Sequence, residues 1–192
     1  IYIIYIDLMP LHLIVGPMFS GKTTRLIQTY REYCDRHSVD NLLLINHKMD
    51  AERYSADDML THDSDSERCC GVSDLNTIQY DPQKIRGIFV NEAQLFNGLK
   101  KWVLTLLDRV ENTDIYLCGL DSDFKIDRVG ELLDLVPYAI TVTKLQGKCN
   151  TEGCCRPSMF THRITHDTAQ IVIGTDNYIP VCRQCYKQYN LS

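Results

Sequence analysis

The chain has 192 residues, of which 44% are hydrophobic and 23% are charged, with 10 Gly and 6 Pro. This composition is that of a globular protein and excludes a disordered or fibrous chain. Lys and Arg number 20 against 25 Asp and Glu, and the net charge of -5 argues against binding of nucleic acid through a broad basic face.

The start of the chain predicts neither a membrane span nor a secretory signal. Its apolar runs IYIIYI (1–6) and LHLIVG (11–16) are much shorter than the roughly 20 residues that cross a bilayer. No basic region precedes them and no small-residue cleavage pattern follows. We therefore expect a cytoplasmic, reducing location, in which the nine Cys are thiols or metal ligands rather than disulfides.

Strands and helices are expected to alternate along most of the chain. Buried strands are predicted at LHLIVG (11–16) and NLLLINH (41–47), and further strands at RGIFVNEAQ (86–94), DIYLCGL (114–120) and AITVTKL (139–145). Helical spacing is found in TTRLIQTYREYC (23–34) and from Leu95 to Val110, and the alternation continues with GELLDLVPY (130–138). The polar stretch 50–68 predicts an exposed loop. This order predicts an α/β fold with a mostly parallel sheet and a ligand site at the carboxyl ends of its strands.

A domain boundary is predicted after Gln146. Beyond it the helical periodicity ends, and the short alternating runs MFTHRIT (159–165) and AQIVIGT (169–175) lie between two groups of cysteines. We expect a nucleotide-binding α/β domain over 1–146 and a small zinc-binding domain over 147–192.

A phosphate-binding loop is predicted between the first strand and the first helix. The motif G-x-x-x-x-G-K-[ST] is matched by Gly16, Pro17, Met18, Phe19, Ser20, Gly21, Lys22 and Thr23. In this motif successive backbone N–H groups and the helix N-terminus face the phosphates. Lys22 is expected to neutralise the β- and γ-phosphates and Thr23 to bind Mg²⁺. The motif therefore predicts a nucleoside triphosphate site in a P-loop domain of RecA-like fold.

A carboxylate is expected at a neighbouring strand end, and the third strand supplies Glu92. Glu92 can accept the proton of an attacking hydroxyl or polarise a water molecule in an ATPase. Asn91 stands where an aspartate that orients magnesium is expected, and its amide oxygen adds no charge. Asp121, at the end of the strand DIYLCGL, is a second candidate for that role.

A zinc site is predicted near the end of the chain. Cys149-x4-Cys154 and Cys182-x2-Cys185 form two short-spaced pairs, as in a four-thiolate structural zinc site. Four thiolates leave no open position for catalysis. Cys155 is the alternative to Cys154.

The whole set of motifs resembles one family. The segments GPMFSGKTTRL, RYS with THD after it, NEAQLF, CGLDSDF, LVPYAITVTKL and VCRQCY occur in the order found in type II thymidine kinases. The resemblance covers nearly the whole chain and implies transfer of the γ-phosphoryl group of ATP to the 5′-hydroxyl of thymidine, with Mg²⁺ and structural Zn²⁺. It also implies a homotetramer and feedback inhibition by dTTP. The divergence of the chain suggests a member from a large DNA virus.

The resemblance also implies individual roles. Glu92 is similar to the general base of the family, Arg53 to an arginine near the reacting phosphate, and Gln94 lies in the nucleotide-site motif. The apolar walls of the thymine pocket would be Met18, Leu120 and Phe124. The segment between Cys154 and Cys182 resembles the family's lasso, a loop over the nucleoside, with contacts from Thr161, Ala169, Gln170, Ile171, Val172, Ile173 and Tyr178.

The chain departs from the family in several places. The family usually has Asp at Asn91 and Phe at Leu95, and Ile126 and Val129 stand where relatives have an Arg and a Phe. The spacing of four between Cys149 and its partner is longer than the familiar two, and the choice of Cys154 rests on Thr161 following seven residues later.

The residues alone are also compatible with two other functions. One is a RecA-like ATPase stimulated by nucleic acid, whose zinc ribbon grips DNA or RNA, although His162, Arg163 and Arg183 are its few candidate contacts. The other is a different nucleoside or nucleotide kinase, for which a monophosphate acceptor would need additional arginines.

Overall fold

The computed structural model describes residues 10–51, 58–60, 66–172 and 174–190. Its strands are β1 (Leu11–Gly16), β2 (Leu42–His47), β3 (Asp58–Leu60), β4 (Ser66–Arg68), β5 (Cys70–Val72), β6 (Gly87–Val90), β7 (Asp114–Leu120), β8 (Thr141–Lys144), β9 (Phe160–Arg163) and β10 (Tyr178–Val181). Its α-helices are α1 (Lys22–Cys34), α2 (Lys48–Ala51), α3 (Leu99–Leu107) and α4 (Arg183–Asn190).

Six of these strands form one sheet in the order β5-β2-β6-β7-β1-β8, and every pairing in it is parallel. The predicted α/β fold with a parallel sheet is confirmed. In a parallel sheet all strands end at the same edge, so the residues after β1, β6 and β7 are brought together there. The register Gly16 to Leu120 fixes this edge for β1 and β7.

The inner strands β2, β6 and β1 are buried almost throughout, which explains their continuous apolar sequence runs, whereas the edge strand β8 is exposed. Neighbouring residues of a strand point to opposite faces. Thus Leu13 packs in one core cluster with Val103 of α3, whereas Ile14 packs in the other with Leu26 of α1. A wholly buried leucine stabilises the fold by about 1.5–3 kcal/mol relative to an exposed one, so both layers hold the strand ends in place.

The structure corrects three predicted elements. The segment GELLDLVPY forms a 3₁₀ helix, Leu132–Tyr138, which contains Pro137 and so lacks one backbone donor. α3 begins at Leu99 rather than near Leu95, because Ala93–Leu95 is a separate 3₁₀ turn. The stretch 50–68 is not wholly an exposed loop, since β3 and β4 pair and the Met59 side chain is fully buried.

A smaller unit follows residue 147. β9 and β10 form an antiparallel pair, and the buried cluster of this unit contains Val181 with Cys149, Cys182 and Cys185, against which the half-buried Cys154 packs. Part of the alternating run MFTHRIT forms strand β9, whereas residues 169–172 of the second run form no strand, and β10 pairs with β9. Helix α4 was not predicted, because Cys185 is its one buried residue and leaves no apolar periodicity.

None of the helices in the described part of the chain has the length and hydropathy needed to cross a membrane.

Candidate active site

The P-loop lies where predicted, between the end of β1 and the start of α1. Gly16 passes so close to the main chain of Leu145 that a Cβ added at Gly16 would lie 2.5 Å from the Leu145 oxygen. Gly21 has φ +79°, in the left-handed region that favours glycine, and α1 begins at the next residue. Both glycines of the motif are thus explained by backbone geometry.

The lysine of the loop is buried against the loop itself. The Lys22 side chain is 7% exposed, and its Nζ donates to the Pro17 oxygen at 2.7 Å. Ser20 Oγ donates to the same oxygen at 2.8 Å. A cation held inside a turn at a helix N-terminus is the arrangement that binds the phosphates of a nucleotide.

A chain of neutral polar groups connects α1 with β6 and β2. Thr23 Oγ1 donates to Asn91 Oδ1 at 3.2 Å, and Asn91 Nδ2 donates to Asn46 Oδ1 at 3.1 Å. Asn46 Oδ1 also accepts from the His47 N–H at 3.0 Å. The oxygen donors of Thr23 and Asn91 fit magnesium by type, but they add no negative charge.

Asp121 lies at the neighbouring end of β7. Its Oδ2 is 2.6 Å from Lys144 Nζ, whereas its Oδ1 is buried without a hydrogen-bond partner among the described residues. One carboxylate oxygen at this edge of the sheet is therefore available to a cation or a bound water.

Glu92 follows β6 and has φ +50° and ψ +39°, a left-handed conformation that is uncommon for a residue other than glycine. Its Oε2 accepts from Gln94 Nε2 at 2.6 Å, and Gln94 Oε1 accepts from the Leu120 N–H at 3.1 Å. Gln94 is 4% exposed and fixes the carboxylate relative to β7. Such strained backbone is often found at functional sites.

Two glycines make room for Gln94. A Cβ at Gly119 would lie 2.2 Å from Gln94 Oε1, and a Cβ at Gly130 would lie 2.1 Å from the Gln94 main-chain oxygen. Gln94, which the family motif places in the nucleotide site, therefore also orients Glu92.

The three predicted pocket walls are all half-buried and lie at the carboxyl edge of the sheet or in the turns beyond it: Met18, Leu120 and Phe124. The Phe124 oxygen accepts from the Tyr186 hydroxyl of α4 at 2.8 Å. Thr161 Oγ1 of β9 accepts from the Met18 N–H at 3.0 Å, so this predicted substrate contact touches the P-loop main chain. The small C-terminal unit therefore packs directly on the candidate site.

An irregular segment of that unit, residues 164–172, lies over the turn after β7, and we call it the lid. The Gln170 side chain donates to Asp123 Oδ2 at 3.0 Å and to the Arg128 oxygen at 2.9 Å. The main-chain oxygens of Ala169 and Gln170 accept from Arg163, and the Val172 N–H donates to the Tyr178 hydroxyl at 3.2 Å. Ile171 is largely exposed.

Two predicted site residues, Arg53 and Ile173, lie outside the described residues. Three residues that the structure places at the site were missed or undervalued: Asn46, Asp123 and Arg163. A signal existed for two of them. Asn46 is a polar residue near the end of an apolar run, and Arg163 shares the inward phase of β9 with Thr161.

The four predicted metal ligands come together. The Sγ atoms of Cys149, Cys154, Cys182 and Cys185 all lie within 4.8 Å of one another. Cys154 Sγ and Cys182 Sγ are 3.9 Å apart, close to the edge of about 3.8 Å of a tetrahedron with zinc–sulfur bonds of about 2.3 Å. Cys155 is exposed and is not part of this group. The cluster therefore fits a structural zinc ion.

The thiols are surrounded by hydrogen-bond donors. Arg156 donates from its main chain and its Nε to Cys154 Sγ, and these bonds lower the pKa of Cys154 to about 6. The Cys182 N–H donates to Cys149 Sγ at 3.2 Å. Donors that stabilise thiolates are expected around sulfur that binds a metal.

Comparison with known proteins gives a consistent result. The family model described as thymidine kinase matches residues 9–186. A thymidine kinase of Oryza sativa subsp. japonica is 38% identical over 184 residues, which are 92% of this chain and 65% of the rice protein. Thymidine kinase a of Arabidopsis thaliana is 34% identical over 91% of this chain and 74% of its own length. A thymidine kinase of myxoma virus (strain Uriarra) is 30% identical over 92% of this chain and 95% of its own. The chain thus spans slightly less than two thirds of the rice protein.

Proposed function

Because this chain belongs to the thymidine kinase family, whose model matches residues 9–186, we propose that it transfers the γ-phosphoryl group of ATP to the 5′-hydroxyl of thymidine, giving dTMP and ADP. The observation that carries the proposal is the placement of Glu92 and the P-loop at one edge of a parallel sheet. A base and a phosphate-binding loop at the same edge are what phosphoryl transfer to a hydroxyl requires.

In the proposed reaction the Glu92 carboxylate accepts the proton of the 5′-hydroxyl while that oxygen bonds to the γ-phosphorus. The bond between the γ-phosphorus and its bridging oxygen breaks, and ADP leaves. Gln94 holds the carboxylate by its 2.6 Å hydrogen bond, so the base is oriented before the substrate binds. Lys22 moves no proton and serves to neutralise the phosphate oxygens.

Magnesium would add positive charge to the phosphates, and Thr23 is the residue that would hold it. The buried Oδ1 of Asp121 has no hydrogen-bond partner in the described part of the chain, which supports a shared role of Asp121 in orienting that ion through water. Arg53, which the resemblance places near the reacting phosphate, remains a prediction.

The nucleoside would be bound between the apolar walls Met18, Leu120 and Phe124 and the lid. The main-chain groups of Ala169, Gln170, Ile171 and Val172 would contact the base, with Ile173 and Tyr178 as further predicted contacts. Because the Gln170 side chain joins the lid to the turn after β7, the lid would also exclude water from the reaction. Thr161 would support this pocket through its bond to the Met18 main chain.

The zinc site would hold the lid at its base. We assign its ligands as Cys149, Cys154, Cys182 and Cys185, and we keep residue 147 as the start of this domain. Its separate buried cluster supports that boundary.

A homotetramer, inhibition by dTTP, a cytoplasmic location and a viral source stay proposals from the family resemblance. One feature supports an assembly of copies. β8 ends the sheet and is exposed along its length, and near it the exposed apolar side chains are Val136, Tyr138, Ile140 and Val142. An exposed apolar sheet edge is a common protein interface.

The test is release of ADP from magnesium ATP by zinc-loaded protein, with thymidine, dTMP or single-stranded DNA as the added compound. We expect release that depends on thymidine and yields dTMP. Lys22→Ala should abolish it together with ATP binding, whereas Lys84→Ala, at an exposed position far from the P-loop in sequence, should not. Release that is stimulated by DNA, or that ignores thymidine, would instead indicate an NTPase whose zinc domain grips nucleic acid.

A further inference from the structure

Arg163 is an unusual residue in the small C-terminal unit. It is 5% exposed, whereas residues 164–170, which follow it directly, are all exposed. Burial of a guanidinium group is costly unless its charge and its N–H groups are compensated. Among the ion pairs of the described residues none includes Arg163, so a carboxylate does not provide the compensation.

The lid and Tyr178 accept hydrogen bonds from both terminal nitrogens, whereas the buried Nε has no hydrogen-bond partner among the described residues. Arg163 Nη1 donates to the Asp167 oxygen at 2.9 Å and to the Ala169 oxygen at 2.5 Å. Nη2 donates to the Gln170 oxygen at 3.1 Å and to the Tyr178 hydroxyl at 2.5 Å. Three carbonyl groups of a segment without helix or strand are thus satisfied by one side chain. Backbone that would otherwise be free to rearrange is fixed in one conformation.

The same guanidinium group contacts the proposed pocket wall. Its central carbon lies 3.7 Å from the centroid of the Phe124 ring and 5.0 Å from that of Tyr178. The Phe124 main chain is held separately by the Tyr186 hydroxyl. Arg163 therefore joins the lid backbone, strand β10 and the aromatic wall on the turn after β7.

We propose that Arg163 is the positioning residue of the nucleoside pocket, which sets the lid backbone and the Phe124 ring in the arrangement that accepts thymidine. This inference rests on the proposed function for the identity of the nucleoside. Lysine cannot replace arginine in this role, because an ammonium group has three N–H donors and no planar face to stack on Phe124, whereas Arg163 bonds four acceptors. Glutamine at position 163 would also lack the positive charge of the guanidinium group.

The test compares Arg163→Lys with Arg86→Lys. Arg86 is a matched control, since its Nη1 also donates to two main-chain oxygens, those of Gln83 and Ile85, at the opposite edge of the sheet. We expect Arg163→Lys to raise the KM for thymidine about tenfold, as for loss of hydrogen bonds from a charged donor, with the KM for ATP changed less than about twofold. Arg86→Lys should leave both KM values unchanged.

Amide exchange of residues 166–172 gives a readout that does not depend on activity. We expect these amides to exchange at least about tenfold faster in Arg163→Lys than in the wild-type protein and in Arg86→Lys. Zinc content should remain equal in all three proteins. Tyr178→Phe, which removes one of the four acceptors, should shift both readouts in the same direction by a smaller factor, and it serves if Arg163→Lys does not fold.

Three results would overturn the inference. They are an unchanged KM for thymidine, unchanged amide exchange in the lid, or an equal rise of both KM values with loss of zinc, which would make Arg163 a residue of general stability. If the wild-type protein does not phosphorylate thymidine, the proposed function fails, and the exchange rates still decide whether Arg163 fixes the lid.

Discussion

The phosphate end and the nucleoside end of the site are built in different ways. At the phosphate end, the P-loop and Glu92 extend directly from strands buried on both faces, and neighbouring strands fix their positions. At the nucleoside end, the lid has no helix or strand and is held by side chains that bind its main chain. The first end is therefore expected to keep its shape without ligand or metal, and the second end to depend on a few individual contacts.

Removal of zinc is the change expected to separate the two ends most strongly. Apparent zinc binding to such sites is worth about 10–16 kcal/mol, and the small unit has little other core to replace it. Cys154→Ser should lose zinc and the response to thymidine but retain ATP binding at the P-loop. Zinc content by mass spectrometry and ATP affinity by calorimetry measure the two halves of this prediction.

Cys155→Ser is the matched control, because Cys155 is adjacent in sequence and exposed outside the sulfur cluster. It should retain one zinc ion and normal activity. Loss of zinc from Cys155→Ser with retention in Cys154→Ser would show that the ligand assignment is wrong. Loss of ATP binding together with zinc would show that the two ends are not independent.

Glu92→Gln tests the rigid end. General bases contribute about 10²–10⁴-fold to rate, so kcat should fall within that range while ATP and thymidine still bind. Glutamine keeps the size of the side chain and can still bond to Gln94. Glu111→Gln, in an exposed position before β7, should have no effect. A normal kcat in Glu92→Gln would exclude Glu92 as the base.

The rigid end was the part that the sequence predicted well. The strands, the P-loop and the position of Glu92 follow from apolar runs and a motif with fixed spacing, since both reflect local rules of backbone geometry. The contacts of the lid could not be predicted in this way. Gln170 and Asp123 are 47 residues apart, and no periodicity relates them.

The same limit applies to Gln94 and Arg163. Gln94 was recognised from the family motif, but its contact with Glu92 depends on the space left by Gly119 and Gly130. Arg163 was considered only as a weak contact for nucleic acid, whereas it is buried at the end of β9 and bonds to the main chain of the lid. A side chain that binds main-chain oxygens leaves no pattern in its neighbours, because every residue has a carbonyl group.

Asn91→Asp tests the phosphate end at the residue that follows β6 and bonds to Thr23 of α1. An aspartate would add negative charge beside Thr23, so a lower magnesium concentration should give half-maximal activity. It would also lose the bond from Asn91 Nδ2 and place a carboxylate against Asn46 Oδ1, which the His47 N–H already holds in that orientation. The new carboxylate oxygen that faces Asn46 Oδ1 would have no donor there, and a buried acceptor left unpaired costs about 1–3 kcal/mol, so we expect that loss in the free energy of unfolding.

Magnesium titration and urea unfolding measure the two effects, with Asn97→Asp, exposed before α3, as the control. An unchanged magnesium requirement would remove Asn91 from the metal site. Unchanged stability would mean that Asn46 turns its amide to the new carboxylate at no cost.

Gln170→Ala should have the smallest effect, and its size tests whether the lid depends on many contacts or on one. The substitution removes two hydrogen bonds, to Asp123 Oδ2 and the Arg128 oxygen. Asp123 Oδ1 still accepts from the main chain of Lys125 and Asp127, and we expect water in the space left by the side chain to bond to Oδ2 and to the Arg128 oxygen. Because neutral-donor hydrogen bonds that water can replace are worth about 0.5–1 kcal/mol, the KM for thymidine should rise about two- to fivefold with the KM for ATP unchanged. Gln28→Ala, on the exposed face of α1, is the control. A rise as large as that expected for Arg163→Lys would place the main attachment of the lid at its contact with the turn after β7 rather than at the buried guanidinium group.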